Sequence, residues 1–146
     1  MNRSERLQPI SRIRKQQERN AGRLHGEAIR QSQQQKKQLD ELINYRDQYS
    51  ETFQLAGASG LSAVQLLEYR LFINRLDDAI MQQKQQVVTG QDQCDASQKE
   101  WMEKRNSSKM INKVVEKRQL AEHRSQEKRE QKELEDRPHK IFDRRQ

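Results

Sequence analysis

The fold of this chain is decided by the stretch from Gln38 to Gln83, which reads QLDELINYRDQYSETFQLAGASGLSAVQLLEYRLFINRLDDAIMQQ. Two helical patterns in it are separated by a break that contains Gly57 and Gly60. Glycine readily takes the left-handed conformation that closes a helix C-terminus, and we assign that conformation to Gly57. The first helix is therefore predicted to end near Ala56.

The second helical pattern opens with a capping box. Ser62 is followed three residues later by Gln65, and Leu61 with Leu66 occupies the hydrophobic-staple positions. The connection between the two patterns is only a few residues long, and a connection that short joins antiparallel neighbours. The stretch therefore predicts a hairpin of two helices.

The composition of the whole chain favours long helices over a globular core. Apolar residues make up 31% of the 146 residues, charged residues make up 35%, and the mean hydropathy is −1.31. Such a chain cannot fill a core of ordinary size, which leaves disorder or helices that bury a narrow seam. Pro9 and Pro138 are the only prolines, so no strong helix breaker lies between them. Long helices are the better interpretation.

We expect a single domain made of two unequal helices. Helix one is placed over about residues 10–56, the turn over 57–61 and helix two over 62–136, with a flexible tail over 137–146. Pro9 sets the start of helix one, because proline is tolerated in a first turn. The predicted fold is all-α, a long antiparallel two-helix coiled coil or α-hairpin.

Both helices carry a stripe that predicts the seam between them. The stripe on helix one is interrupted by glutamines and consists of Ile10, Ile13, Leu24, Ala28, Leu39, Leu42, Ile43, Tyr45, Tyr49 and Phe53. The stripe on helix two keeps an unbroken 3-4 alternation over Leu66, Tyr69, Ile73, Leu76, Ile80, Gln83, Val87, Gly90, Cys94, Ser97, Trp101, Lys104, Ser108, Ile111 and Val115.

The register of the hairpin follows from the position of the break. Folding back about residue 58 places Gly26 across from Gly90, where we expect a weak layer that bends. The same register leaves helix two without a partner beyond about Ile111. Its highly charged end is then either a binding arm or a solvated helix end.

The sequence shows no catalytic or metal site. His25, His123 and His139 have no ligand spacing with the single Cys94, and the glycines form no phosphate loop. We therefore expect a non-enzymatic protein without metal or cofactor. The lone cysteine fits a reducing compartment, and no apolar run is long enough to cross a membrane, so we expect a soluble cytoplasmic protein.

The charge pattern permits an acidic partner without identifying one. The formal net charge is +7 and the pI is about 9.7. Asp and Glu are interleaved with Lys and Arg, and we interpret the excess as spread along solvated helix faces.

The informative feature near the hairpin tip is a surplus of apolar residues, since a two-stranded coil needs one stripe per helix. Each helix carries a second 3-4 row beside its seam stripe. In an antiparallel pair the two second rows lie side by side and match Gln38 with Gln83, Leu42 with Ala79, Tyr45 with Leu76, and Tyr49 with Phe72. One seam cannot bury both pairs of rows, so we expect an exposed apolar patch of the kind that binds proteins. A thicker seam or a self-association face is the alternative.

The residues around the break resemble the flagellar FliJ family. The resemblance rests on QLDELINYRDQY, the Gly-Ser break, and EYRLFINRLDDAIMQQ followed by Trp101 and Lys104. It implies a monomeric, non-enzymatic stalk of the flagellar type III export apparatus, similar in shape to the central stalk of rotary ATP synthases. The implied partners are the hexameric export ATPase, the membrane export gate and export chaperones. The implied location is the cytoplasm, peripheral to the inner membrane at the flagellar base.

The resemblance also implies two binding surfaces. The export-gate surface maps onto the surplus rows, Gln38, Leu42, Tyr45, Tyr49, Phe72, Leu76, Ala79 and Gln83. The contact with the ATPase ring maps onto the two ends of the chain, at Ile10, Ile13, Arg14, Gln17, Leu24, Ile111 and Val115.

Two other functions compete with a coupling stalk. A basic helical nucleic-acid-binding protein needs a concentrated positive face, and the interleaved charges count against it. A self-associating structural coiled coil would cover the surplus rows with a second copy. A monomer that binds the export ATPase and not DNA would leave only the stalk.

Overall fold

The chain forms two long α-helices that pack against each other in antiparallel orientation. A computed structural model describes residues 2–144, and their side chains from 2 to 136. Helix α1 is Arg3–Gly57, with 55 residues, and helix α2 is Ala63–Arg144, with 82 residues. The described residues contain no strand. The predicted all-α hairpin with unequal helices is confirmed.

The turn between the helices differs from the prediction at one glycine. Helix α1 closes with i to i+3 bonds, the last from Gly60 N to the Gly57 carbonyl at 3.2 Å, and Ser59 Oγ donates to the Ala56 carbonyl at 2.8 Å. These bonds satisfy the last backbone carbonyls of α1, so no left-handed residue is needed at Gly57 to close the helix. Among the described residues, positive φ occurs at Gly60, where it is 90°. The assignment of that conformation to Gly57 is therefore wrong.

The predicted capping box at the start of α2 is present. Gln65 N donates to Ser62 Oγ at 3.1 Å, and Ser62 N donates to Gln65 Oε1 at 2.9 Å. The first backbone N–H groups of a helix have no acceptor within the helix. Here each of the two side chains accepts a hydrogen bond from the backbone N–H of the other residue.

Helix α1 begins at Arg3 and not near residue 10. The Glu122 carboxylate of α2 accepts hydrogen bonds from Ser4 N at 3.1 Å and from Ser4 Oγ at 2.6 Å. A carboxylate at this position satisfies a backbone donor and interacts favourably with the helix dipole. Pro9 therefore lies inside the helix, where it lacks one backbone donor.

Helix α2 continues past its expected end near residue 136. It reaches Arg144, so most of the tail that the sequence predicted over 137–146 is helical. The last two residues, 145 and 146, lie outside the described residues.

The chain divides into two compact units, each built from parts of both helices. Unit 1 is Met1–Asn20 with Met102–Gln146, and unit 2 is Ala21–Trp101. The buried side chains described in unit 1 are Ser4, Ser108, Ile111 and Val115. Those in unit 2 are Ala21, Ser32, Leu76, Ile80 and Gln83. Each unit is therefore held by a narrow seam with polar members.

The α2 side of the seam follows the predicted 3-4 alternation. Every residue of the predicted series from Tyr69 to Val115 is buried or half-buried, and only Leu66, at the start, is exposed.

The α1 side of the seam differs from the apolar stripe that was expected. Ile10, Ile13 and Leu24 are exposed. In unit 1 the seam instead uses Ser4, Leu7, Ser11, Arg14 and Glu18, and in unit 2 it uses Ala21, His25, Ala28, Ser32, Gln35, Leu39, Leu42, Arg46, Tyr49 and Phe53. These positions also alternate by three and four residues, but many are small or polar and so escape an apolar count.

The register of unit 2 also differs from the prediction. Gly90 lies against the Gln35 side chain, Gly22 lies against Trp101, and Gly26 has no neighbour within 4 Å of the position a Cβ would take. The expected layer of facing Gly26 and Gly90 is therefore wrong. The contacts of Arg46 with Asp77 and of Phe53 with Tyr69 place the fold-back near residue 61 and not 58, which displaces the pairing by about two helical turns.

Unit 1 extends the pairing beyond Ile111, where no partner was expected. Ser11 Oγ donates to Asn112 Oδ1 at 2.7 Å, Val115 is buried, and Glu122 caps the N-terminus of α1. The displaced register brings Ser11 to Asn112, and the earlier start of α1 adds the pairing of Ser4 with Glu122.

Candidate functional site

The eight residues predicted to bind the export gate lie together along one edge of the helix pair in unit 2. We call this set the tyrosine edge: Gln38, Leu42, Tyr45 and Tyr49 from α1, with Phe72, Leu76, Ala79 and Gln83 from α2. The contacts between the helices confirm the predicted proximity. The ring centroids of Tyr49 and Phe72 are 4.6 Å apart, those of Tyr45 and Phe72 are 6.2 Å apart, and Gln83 Nε2 lies 3.5 Å from Gln38 Oε1.

The aromatic residues of the edge belong to a cluster that continues toward the turn. Tyr49 stacks on Tyr69 at 5.7 Å, and Phe53 stacks on Tyr69 at 3.6 Å. The Tyr69 hydroxyl donates to Ser50 Oγ at 3.1 Å. Paired aromatic rings stabilise beyond their buried area, so the cluster fixes the orientation of Tyr49 and Phe72.

Exposure divides the tyrosine edge into two groups. Leu76 and Gln83 are each only 8% exposed, because they occupy seam positions of α2. Tyr45 is 50% exposed and Gln38 is also exposed, while the other four members are half-buried. The expectation that all eight residues form an exposed patch is therefore wrong for Leu76 and Gln83. These two residues support the edge from inside the seam.

A shallow groove of about 310 Å³ opens on the tyrosine edge. It is lined by Gln38, Glu41, Leu42 and Gln83. Glu41 was not among the predicted site residues, although it follows Gln38 by three positions and so shares its helix face. The groove combines apolar, amide and carboxylate groups on an open surface, which suits contact with a protein side chain.

Gln83 is anchored by the backbone of α1. Its Nε2 donates to the Gln35 carbonyl at 2.9 Å, in addition to its longer contact with Gln38. The Gln35 side chain lies over Gly90, and Gln35 Oε1 is buried without a hydrogen-bond partner among the described residues. This polar layer holds one wall of the groove.

An ion pair fixes the two helices relative to each other beside the aromatic cluster. Arg46 Nε donates to Asp77 Oδ1, and Arg46 Nη2 lies 3.4 Å from Asp77 Oδ2. The hydrogen bond and the negative charge of Asp77 raise the pKa of Arg46. Both side chains are partly exposed, so the pair contributes to register more than to stability. This ion pair could not be predicted from the sequence, since Arg46 and Asp77 become neighbours only in the correct register.

Comparison with known proteins identifies the family. A family model described as the flagellar FliJ protein matches residues 3–146. The chain belongs to the FliJ family. Two curated relatives, each named flagellar FliJ protein, come from Salmonella typhi and from Escherichia coli (strain K12). Each is 33% identical over 85 residues, which is 58% of this chain and 58% of the relative. The aligned part thus spans little more than half the length of these relatives, and no solved structure matches the chain.

In this FliJ-family chain, the residues predicted to contact the ATPase ring fall into different environments. In unit 1, Ile10, Ile13 and Gln17 are exposed and Arg14 is half-buried, whereas Ile111 and Val115 are buried. In unit 2, Leu24 is exposed. Ile111 and Val115 pack within the seam, so their side chains are not accessible to a partner while the helices stay paired.

Residues 2–136 contain no group of three or more His, Cys, Asp or Glu side chains placed to hold a metal ion. Cys94 is a free, half-buried thiol. Within the same residues, no helix has the length and apolar character that crossing a membrane requires.

Proposed function

We propose that this chain is a non-enzymatic component of the flagellar type III export apparatus. In this proposal it links the hexameric export ATPase to the membrane export gate, assists export chaperones, and works in the cytoplasm at the inner membrane of the flagellar base. Membership of the FliJ family and two relatives named flagellar FliJ proteins support the proposal. The two-helix fold also supports it, because paired helices can present binding surfaces to partners without any catalytic residue.

The tyrosine edge is the proposed contact with the export gate. The observation that carries this assignment is the half-exposed Tyr45 ring, which packs edge-on against the Phe72 ring of the other helix. Tyrosine is over-represented among residues that dominate binding, and a side chain fixed before binding loses little conformational entropy. Leu42 and Ala79 are half-buried beside it and enlarge the apolar surface.

Substitution of Tyr45 tests the gate assignment. We expect Tyr45→Ala to weaken binding to the purified cytoplasmic domain of the gate by about tenfold or more, because the ring is the main exposed aromatic group of the edge. Helicity and thermal stability should change little, since half of Tyr45 is already exposed. Binding is measured by calorimetry and export by motility in soft agar.

Leu71→Ala is the matched control for this experiment. Leu71 is 53% exposed on the same stretch of α2 but is not a member of the tyrosine edge. Its substitution removes a comparable exposed apolar group and should leave gate binding unchanged. Equal losses in both variants, or no loss in Tyr45→Ala, would contradict the assignment. A large drop in stability of Tyr45→Ala would show that the ring is structural.

The contact with the ATPase ring is proposed for unit 1. Ile10, Ile13 and Gln17 are its accessible members, with Arg14 beside them. Leu24, in unit 2, is a separate exposed apolar residue. Ile111 and Val115 serve this surface indirectly by holding α1 and α2 together. Any stimulation of ATP hydrolysis would come from assembly of the ring.

A further inference from the structure

The positive charge of the chain is concentrated in one of the two units. Unit 2 contains nine of the 29 Lys and Arg residues and 11 of the 22 Asp and Glu residues. The other 20 basic and 11 acidic residues lie in unit 1, which gives formal charges of +9 for unit 1 and −2 for unit 2. The expectation that the excess is spread along the chain is therefore wrong.

Part of this charge lines a groove between the helices of unit 1. The groove has a volume of about 330 Å³ and contains Arg12 and Lys15 of α1 opposite Asn112 and Glu116 of α2. The hydrogen bond from Ser11 to Asn112 sets the height at which the two helices meet here. Arg19 follows Lys15 by four residues and therefore continues the same face of α1.

Two further cations reach the same edge from α2. Arg105 and Lys109 precede Asn112 by seven and three residues, which places them on its helix face. In the antiparallel pair they lie at about the height of Lys15 and Arg19. We call these five residues the basic edge: Arg12, Lys15, Arg19, Arg105 and Lys109.

The basic edge is not neutralised by the chain itself. All five side chains are exposed, and none takes part in an ion pair among residues 2–136. Like charges three or four residues apart destabilise a helix slightly, so the cluster weakens the free protein to a small extent. A partner that brings negative charge to this edge would remove that repulsion and gain favourable contacts.

We propose that the basic edge binds an acidic segment of a protein partner. The proposal rests on the proposed function, in which that partner is the export ATPase. The groove supports carboxylate recognition, because Ser11 and Asn112 place hydrogen-bonding groups beside Arg12 and Lys15.

The limits of the edge favour a short acidic segment over an extended polyanion. Arg12 and Arg19 are separated by about 10 Å along α1 at 1.5 Å per residue. Glu5 precedes Arg12 by seven residues on the same face, and Glu116 lines the groove from α2. A nucleic acid or an anionic membrane that extended along the helices would meet these carboxylates, whereas a short segment would not.

Charge reversal of the basic edge tests the proposal. The edge variant is Arg12→Glu with Lys15→Glu and Arg19→Glu in the full chain. The control variant is Lys37→Glu with Lys84→Glu and Lys99→Glu, three exposed residues of unit 2 that change the net charge equally. Circular dichroism verifies that both variants are helical, and binding to the purified export ATPase is measured at low and high salt.

We expect the edge variant to bind the ATPase at least about tenfold more weakly at low salt, with the difference shrinking as salt screens the charges. The control variant should stay within about twofold of the unchanged chain, a margin typical for charges outside an interface. Unchanged binding of the edge variant, or equal losses in both variants, would overturn the inference and leave the proposed function standing. If the unchanged chain does not bind the ATPase, both the inference and the proposed function are wrong.

Two further probes decide between classes of partner. A DNA duplex and vesicles containing anionic phospholipid are added separately to the unchanged chain and to the edge variant. We expect each probe to bind the unchanged chain and the edge variant with the same affinity. Binding of either probe that the edge variant loses, with ATPase binding intact, would assign the edge to nucleic acid or membrane and overturn the inference.

Discussion

The seam between the helices depends on individual polar side chains that reach the opposite helix. Gln83 binds the Gln35 carbonyl, and His25 Nδ1 lies 2.8 Å from Ser97 Oγ. The Ser97 hydroxyl in turn donates to the Cys94 carbonyl at 2.8 Å, so His25 is the donor in its contact with Ser97. Such bonds add modest stability, but they define one register, because a shifted pairing would leave buried polar groups unsatisfied.

Two glycines of α1 separate the effect of helix propensity from that of packing. A Cβ added at Gly26 meets nothing within 4 Å, so Gly26→Ala should stabilise the protein by up to about 1 kcal/mol. A Cβ added at Gly22 would lie 3.0 Å from Trp101 Nε1, and His25 stacks on the Trp101 ring. We therefore expect Gly22→Ala to gain less or to destabilise, and to shift the Trp101 fluorescence. Chemical denaturation and emission spectra measure both. Equal stabilisation with unchanged emission would show that Trp101 does not pack on Gly22.

At the scale of whole elements, the sequence predicted what depends on apolar periodicity and turn chemistry. The break near Gly60, the capping box and the α2 seam follow from such patterns. The α1 seam does not, because positions such as Ser4 and Ser32 are buried by geometry and not by hydrophobicity. The start of α1 also escaped prediction, since its cap comes from Glu122, more than 100 residues away in the chain.

The candidate site was predictable to a similar extent. The rows of the tyrosine edge could be counted from the sequence, and the structure brings all eight residues to one edge. The division between buried Leu76 and exposed Tyr45 could not be predicted, because it depends on the angle at which each helix faces the other. The basic edge was missed because its cations come from opposite ends of the chain, where a count along the sequence sees them mixed with acids.

The N-terminal end of α1 should depend on pH through its cap. Hydrogen bonds from Ser4 lower the pKa of Glu122 below its ordinary value. A lowered carboxylate pKa stabilises the folded state above the pKa of the unfolded chain, and that contribution is lost as pH falls through the folded pKa. We expect amides near Ser4 to exchange faster, after correction for intrinsic rates, as pH falls below 4.5, the ordinary pKa of a glutamate.

Variants of two glutamates test this pH dependence. Glu122→Gln keeps one acceptor oxygen for Ser4 but cannot ionise, so it should weaken the cap at neutral pH and flatten the pH profile. The control is Glu127→Gln, because within residues 2–136 the pairing of Glu127 is with His123 alone, on an exposed face of α2. Hydrogen exchange followed by mass spectrometry reads both. A profile in Glu122→Gln that matches the unchanged chain would show that the cap does not hold the helix end.

At the scale of the whole molecule, the two proposed surfaces lie in different units and differ in chemistry. The tyrosine edge is aromatic and belongs to a unit with a formal charge of −2, and the basic edge belongs to a unit with a formal charge of +9. If both proposals hold, one chain offers an aromatic contact to the export gate and a cationic contact to the export ATPase. Because the two surfaces differ in chemistry, a substitution can remove one contact and leave the other intact.

The two surfaces share no residue, so we expect independent effects. Tyr45→Ala should reduce gate binding and leave ATPase binding unchanged, and the charge-reversed basic edge should do the opposite. A variant that combines both changes should show each loss at the size measured alone, as expected for sites without shared partners. Calorimetry with each partner provides the measurement. Losses that exceed those of the single variants would show that the two surfaces are coupled.

The cap that Glu122 places on α1 has a consequence for protein synthesis. The ribosome completes all of α1 before it has made Glu122, so the nascent first helix must wait for the chain that will cover it. A waiting helix with a leucine-rich face would attract other nascent chains. From Ser4 to Gln35, most residues on the covered face of α1 are small or polar, which gives that part of the helix little tendency to aggregate during the delay.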